Sequence, residues 1–337
     1  MIKKKIYIKT TESCNLHCKH CYINDFRKQK KFFDWEKTAN WLQKYINLFK
    51  LKNEDLLISF HGGEPFLCDL EILQKFIDRF PGANFNATSN LCFPIYTDFY
   101  NFIERNFIDP VTKTPYIKTS WDYKIRFTKK GQEELWMSNV KNLAGEFDVH
   151  VTTCLTKDLI KDVVPFSYLE EMQDLEVNSL NFERLTENTT TDKSLVPDYQ
   201  DQDKWLFEMF LDNETSFGFP IEIFDNLKRA ASGEGFSGCR KRNCMQEVMT
   251  INANGTIGGC PNTALLEPFS SIDKDPVDLI KNQCQICLIQ KERLRNNKCY
   301  TCPYYKICNG DCHQLSWQGE ECPAPKKVMK YLLKDIS

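Results

Sequence analysis

The chain has 337 residues, 42% of them hydrophobic, with 44 basic and 46 acidic side chains and a net charge of -2, enough for one barrel-sized domain and a smaller one. The near-neutral balance excludes a nucleic-acid partner held mainly by electrostatics, and no apolar run approaches the roughly 18 residues of a membrane span. The basic start Lys3–Lys5 could imitate a signal peptide, but Tyr7, Lys9 and polar Thr10–Ser13 leave no apolar h-region, so a cytoplasmic protein is expected.

Sixteen cysteines in such a compartment read as metal ligands rather than disulfides. From residue 5 to about 184 short apolar runs alternate with amphipathic stretches, the pattern of a parallel sheet with crossover helices. Strand one is expected near 5–10 and runs into Cys14-Asn-Leu-His-Cys18-Lys-His-Cys21. Three thiolates at this spacing suit three irons of a 4Fe-4S cluster and leave the fourth iron open. A zinc knot completed by His17 or His20 is the alternative. A first helix is expected from the N-cap Asp34, with Trp35, Ala39, Leu42, Ile46 and Phe49 on one face.

Strand two, 56–60, ends in His61-Gly62-Gly63-Glu64-Pro65, where glycines let a ligand approach the backbone and Glu64 can hold an ammonium group. Asp69 opens a second helix carrying Leu70, Leu73, Ile77 and Phe80, stopped by Pro81-Gly82. Further strands are expected near 84–88, 116–120, 147–155 and 178–183, with helices near 95–107, 131–144 and 164–174. A loop covers 186–200, helices follow near 201–212 and 221–231, and Gly233, Gly235 and Gly238 mark a boundary. His61, His150 and His313 read as packed or hydrogen-bonded histidines. Trp205, Phe207, Phe210 and Phe217 read as core or as a face between domains.

The CxxxCxxC after strand one and Gly-Gly-Glu-Pro after strand two resemble the radical S-adenosylmethionine (radical SAM) superfamily. The resemblance implies an α/β fold, a partial (β/α)6 TIM-type barrel, whose strand C-termini face the active site. It implies a cluster on Cys14, Cys18 and Cys21 that binds SAM. SAM contacts are expected from Gly62, Gly63, Glu64, Asn90, Ser120 and Leu185, and from His20, in the position usually aromatic. Arg126, six residues past Ser120, lies nearer than the arginine of many relatives and is a softer carry-over.

In the C-terminal part, Cys239 and Cys244 are separated by four residues and lead to Cys260 through two short strands around Asn254-Gly255. Cys299, Cys302, Cys308, Cys312 and Cys322 follow, giving eight thiols, the number that two fully coordinated 4Fe-4S clusters require. Two structural zinc sites are the alternative. The arrangement resembles the small Cys-rich SPASM domain with two auxiliary clusters. That resemblance puts Cys239, Cys244, Cys260 and Cys312 on the cluster nearer the active site and Cys299, Cys302, Cys308 and Cys322 on the outer one. The expected division is 1–235 for the barrel with its trailing helices and 236–337 for the SPASM domain. Of the remaining cysteines, Cys68, Cys92, Cys284 and Cys287 read as core or surface thiols. Cys154, expected at the end of strand five on the active-site face, could donate a hydrogen atom to a substrate radical.

The resemblance implies three 4Fe-4S clusters, SAM, and a 5'-deoxyadenosyl radical that takes a hydrogen atom from an unactivated carbon. Auxiliary clusters suggest net oxidation, so the preferred outcome is a C-C, C-O or C-S crosslink in a ribosomally made peptide. An epimerase or dehydrogenase on a peptide, protein or small molecule is the first alternative; a non-catalytic electron-transfer or zinc protein is the second. Sulfatase-maturing relatives carry an aspartate after the cysteine matching Cys260, where this chain has Pro261-Asn262; Glu183 could substitute as the catalytic acid. Peptide maturases often carry an N-terminal leader-binding domain of about eighty residues, whereas this chain begins a few residues before strand one, so a separate recognition protein or a different substrate class is expected. The electron donor is expected to be of flavodoxin or ferredoxin type.

Overall fold

A computed structural model describes residues 2–23, 31–186 and 192–334. In chain order its strands and helices are β1 Lys4–Thr11, α1 Trp35–Leu48, β2 Leu56–Gly62, α2 Leu70–Ile77, β3 Asn84–Ala87, α3 Thr97–Asn106, β4 Tyr116–Ser120, α4 Gln132–Ala144, β5 Asp148–Leu155, α5 Lys157–Asp162, α6 Pro165–Asp174, β6 Ser179–Arg184, α7 Tyr199–Asp212, α8 Glu222–Ala231, α9 Cys244–Glu247, β7 Val248–Ile251, β8 Thr256–Gly258, β9 Ser270–Ser271, α10 Gln283–Arg293, α11 Asn297–Tyr300, α12 Tyr305–Cys308 and α13 Lys326–Lys334.

Strands β1 to β6 are parallel and follow chain order around a partial barrel. Ile6 pairs with Ile58 and Ile8 with Phe60, and Phe60 pairs in turn with Ala87. A single parallel bridge, Thr88 to Lys118, carries the curve from β3 to β4, and β4-β5-β6 continue it. Ile6, Ile8, Leu56, Ile58, Phe60 and Phe76 are fully buried between strands and helices, which is what a strand covered on both faces requires of its sequence. β7 adds to the free edge of β1 in parallel, Lys5 to Val248 through Ile8 to Ile251, and β8 and β9 extend it antiparallel. The expected hairpin is present, but its hydrogen-bond ladder joins the barrel sheet across residue 236.

Asp34 caps α1 by accepting from Lys37 N at 3.0 Å. The expected apolar face turns, however. Thr38, Ala39, Trp41, Leu42, Tyr45 and Ile46 are buried, Trp35 is only half-buried, and Phe49 lies exposed past the last turn. The cause is a second neighbour: Trp41 donates to the carbonyl of Lys274 at 2.8 Å, so the C-terminal part covers this side of the helix. A short helix, α5, was hidden before α6; Thr156 caps it and Pro165 restarts the chain. α7 begins at Tyr199, because Asp198 accepts from the amides of Gln200 and Asp201. The expected loop at 186–200 falls partly outside the described residues. Phe207 and Phe210 pack on Tyr331 of α13, which makes the aromatic stripe of α7 a contact with the C-terminal segment. Among the described residues no helix is long and apolar enough to cross a membrane.

Candidate active site

At the C-terminal end of β1 the chain turns into the Cys14–Cys21 loop, and the end of β2 holds that loop by its backbone. Gly63 N donates to Thr11 O at 2.7 Å and Glu64 N to Ser13 O at 2.9 Å. A Cβ on Gly63 would lie 1.9 Å from Ser13 O, and one on Gly62, whose φ is +133°, 2.2 Å from Thr11 O. The backbone that these glycines admit is therefore that of the cysteine loop. Glu64 is fully buried, and its carboxylate takes Ser89 Oγ at 2.9 Å, Asn90 N at 2.7 Å and Phe66 N at 3.1 Å. Burial pushes its carboxyl up to about 7. In this arrangement Glu64 ties the end of β2 to the turn after β3. Asn90, on that turn, reaches Cys14 Sγ at 3.5 Å and Asn15 Oδ1 at 2.6 Å.

Asp122, two residues beyond Ser120, belongs to no motif of the sequence, yet it organises this face. Its buried carboxylate accepts from Arg126 Nε at 2.6 Å and Cys154 N at 2.7 Å and lies 3.5 Å from His20 Nε2. His20, Asp122 and Cys154 bring ligand-type atoms within 4.8 Å of one another; hydrogen bonds to Asp122 account for the grouping. Arg126 is thereby held in place, and against the opposing effect of burial the charge of Asp122, then that of Cys18, raises its basicity. Burial, then Asp122 and Glu183, push the Cys154 thiol far up, so it stays neutral. Leu185 packs with Ile125, Leu195 and Cys154 into an apolar wall on the same face.

Cys154 and Glu183 are register partners at the ends of β5 and β6. Glu183 is accessible although protein surrounds it; burial first, then Cys239 and Glu222, push its carboxyl up to about 7. Tyr7 and His61 stack edge to face from β1 and β2, and Tyr22 Oη meets His61 Nδ1 at 3.4 Å. Burial pushes His61 down to about 3, so it is neutral, as expected of a packed histidine. His150 bonds Ser179 Oγ at 2.7 Å, and His313 lies against Gln314.

The C-terminal cysteines gather as two groups. Cys239 is in hydrogen-bond contact with the thiols of Cys244 and Cys312, which lowers its pKa, and Cys260 lies near enough to feel its charge. α10 supports this group: buried Glu292 accepts from Cys244 N at 2.7 Å and Met245 N at 3.0 Å. Cys299, Cys302, Cys308 and Cys322 line one cavity of about 140 Å³ with Trp317 and Met329; Cys312 borders it too. Cys68 and Cys92 are buried, while Cys284 and Cys287 are exposed on α10.

Thiolates on a zinc at about 2.3 Å stand roughly 3.8 Å apart, yet among the described residues no three of the cysteines come within 4.8 Å of one another. His17 is exposed and His20 faces Asp122, so neither histidine is placed as a fourth ligand for Cys14, Cys18 and Cys21.

Residues 6–111 match the family model described as a 4Fe-4S single cluster domain. Over 327 residues, 90% of this chain and 86% of the relative, the sequence is 22% identical to a cysteine-type anaerobic sulfatase-maturating enzyme of Clostridium novyi (strain NT). The fold superposes on native anSMEcpe with bound AdoMet and Cp18Cys peptide with a TM-score of 0.78 at 17% identity, covering 98% of this chain and 95% of the other. It also superposes on Streptococcus suis SuiB bound to precursor peptide SuiA, with a TM-score of 0.63 at 16% identity, covering 96% of this chain and 74% of SuiB. Over most of its length the chain is thus similar to an anaerobic sulfatase-maturating enzyme, and its fold is that of anSMEcpe and SuiB.

Proposed function

We propose that this homologue of the sulfatase maturases is a cytoplasmic radical SAM enzyme that oxidatively crosslinks a ribosomally made peptide. The observation that carries the reading is the convergence at the strand ends of His20 from the cysteine loop, Cys154 and its register partner Glu183, with Cys239 near enough for its charge to act on Glu183. A peptide substrate is supported by the peptides bound to two structural neighbours.

In this reading Cys14, Cys18 and Cys21 hold the SAM-binding cluster, Cys239, Cys244, Cys260 and Cys312 the inner auxiliary cluster, and Cys299, Cys302, Cys308 and Cys322 the outer one. Residues 1–235 form the barrel part and 236–337 the SPASM part. When bound, SAM and these clusters supply hydrogen-atom abstraction from an unactivated carbon and an outlet for one electron. The chain's own residues do the rest. Gly63, Asn15 and Asn90 fix the loop, Asp122 aims Arg126, and His20, Ser120 and Leu185 shape the wall against SAM. The substrate carbon gives up its hydrogen as an atom, and Glu183, accessible and with a carboxyl near pH 7, takes the proton lost by the group that bonds to that carbon as one electron leaves.

Pro261-Asn262 after Cys260 separates the chain from the aspartate-bearing sulfatase maturases and leaves this task to Glu183. A flavodoxin- or ferredoxin-type protein supplies the reducing electron. Epimerisation with Cys154 as hydrogen-atom donor is the second reading; the neutral thiol on the active-site face favours it.

The test is anaerobic iron and sulfide counting with a SAM-cleavage assay. About twelve irons per chain, falling by about four when Cys14, Cys18 and Cys21 become alanine, support the reading. Two or three zinc ions without SAM cleavage would place the protein among structural zinc proteins.

A further inference from the structure

No step above uses the buried ion cluster at Asp311, which lies between Cys308 and Cys312. Arg184, from the end of β6, forks onto its carboxylate: Nη2 reaches Oδ1 at 2.9 Å and Nη1 bonds Oδ2. Arg240 Nη2 donates to Oδ2 at 3.0 Å and Cys312 N to Oδ1 at 2.8 Å. Arg242 Nη1 donates to the Asp311 carbonyl at 2.6 Å. Arg295 holds the neighbouring Asn309 through its carbonyl at 2.8 Å and its side chain at 3.2 Å.

These contacts hold a backbone that would not persist alone. Asn309, Gly310 and Asp311 have φ values of 53°, 75° and 53°, three left-handed residues in a row, of which two carry a Cβ. A Cβ on Gly310 would lie 2.4 Å from Arg295 Cδ, so the arginine fills the space over the glycine. Asp311, Arg240 and Arg242 are buried and Arg184 is nearly so, which sets three guanidinium groups against one carboxylate. Arg184 and Arg240 hold the Asp311 carboxyl well below the usual carboxylate range. Cations this deep act over several ångströms with little screening.

We propose that Asp311 is the positioning residue of the auxiliary pair. It fixes Cys308 against Cys312, and hence the two cluster sites at one separation. Through Arg184 it locks that pair to the strand that presents Glu183. The surplus positive charge around it favours the reduced, more negative state of both sites. This inference rests on the assignment of Cys308 and Cys312 to different clusters.

The test uses the full chain, anaerobically reconstituted, as wild type, Asp311→Asn and Arg184→Lys. It reads iron per chain and a redox titration followed by electron paramagnetic resonance. Asp311→Asn removes one negative charge and is expected to raise both auxiliary midpoint potentials together while the Cys14–Cys21 cluster keeps its own. Arg184→Lys keeps the charge but loses the fork; it is expected to hold the potentials and weaken the spin–spin interaction between the reduced auxiliary clusters. Unchanged auxiliary potentials in Asp311→Asn, with only a lower melting temperature, would reduce the cluster to a structural staple and overturn the proposal. If Asp311→Asn does not fold, an unchanged spin–spin interaction in Arg184→Lys overturns it. Wild type with only about four irons would sink the functional reading and this inference together, whereas about twelve irons with wild-type-like variants sinks this inference alone.

Discussion

Gly63→Ala is the substitution that the geometry penalises most directly. Its Cβ would lie 1.9 Å from Ser13 O, 2.4 Å from Ser13 C and 2.7 Å from Glu12 O, all backbone atoms that cannot swing aside. The β2 end and the cysteine loop must separate by more than an ångström, which breaks Gly63 N to Thr11 O at 2.7 Å and Glu64 N to Ser13 O at 2.9 Å. Each hydrogen bond broken at this depth costs about 1–3 kcal/mol, so the two bonds together cost about 2–6 kcal/mol. That is a large share of the roughly 5–15 kcal/mol that holds a typical domain folded. The assay is urea unfolding of the metal-free protein, paired with iron retention after reconstitution. Gly145→Ala is the control, because its Cβ would meet nothing nearer than Asn142 O at 3.7 Å. The expected result is a loss of stability within that range for Gly63→Ala with about four irons fewer, and a change under about 1 kcal/mol for the control. A Gly63→Ala protein with wild-type stability and iron would refute the claim that the glycine pair exists to seat the loop.

Asp122→Asn should weaken SAM binding about ten- to hundredfold, since hydrogen bonds to a charged group are worth about 1.5–3 kcal/mol and Arg126 would lose its tether; calorimetry on the reconstituted enzyme checks it. Glu183→Gln should cut product formation by about 10²–10⁴ while SAM cleavage persists. Because the Glu183 carboxyl titrates near 7 and accepts protons only when ionised, wild-type product formation should rise from pH 6 to pH 8, and the variant should lose that rise. Cys154→Ala should leave an oxidised product intact and abolish any deuterium incorporation in heavy water; a variant that loses the oxidised product would move the thiol into the main reaction.

Local sequence patterns determine much of this fold. β1 to β6 fall within a residue or two of where apolar runs placed them, because strands covered on both faces have little freedom of composition. The caps Asp34, Asp69 and Asp198 work where short acceptors precede helical runs, although Asp198 was read as loop. What the sequence hid is what long-range packing decides. Nothing local in Val248–Ile251 announces that it will pair with β1 rather than stand in a separate sheet. Gly62-Gly63 was legible as a close approach, but whose backbone approaches depends on the Thr11–Ser13 turn. Asp122 sat in plain view between Ser120 and Arg126, and its spacing of four from Arg126 was the available signal. The Arg184–Asp311 pair spans 127 residues, so no pattern in one sequence could have joined them.

The most direct measurement is mass spectrometry of the short peptide encoded beside this gene, after anaerobic co-expression in heavy water. The account predicts a loss of about 2 Da, the mark of an oxidative crosslink. A peptide of unchanged mass, from a protein that binds no iron and cleaves no SAM, would contradict it.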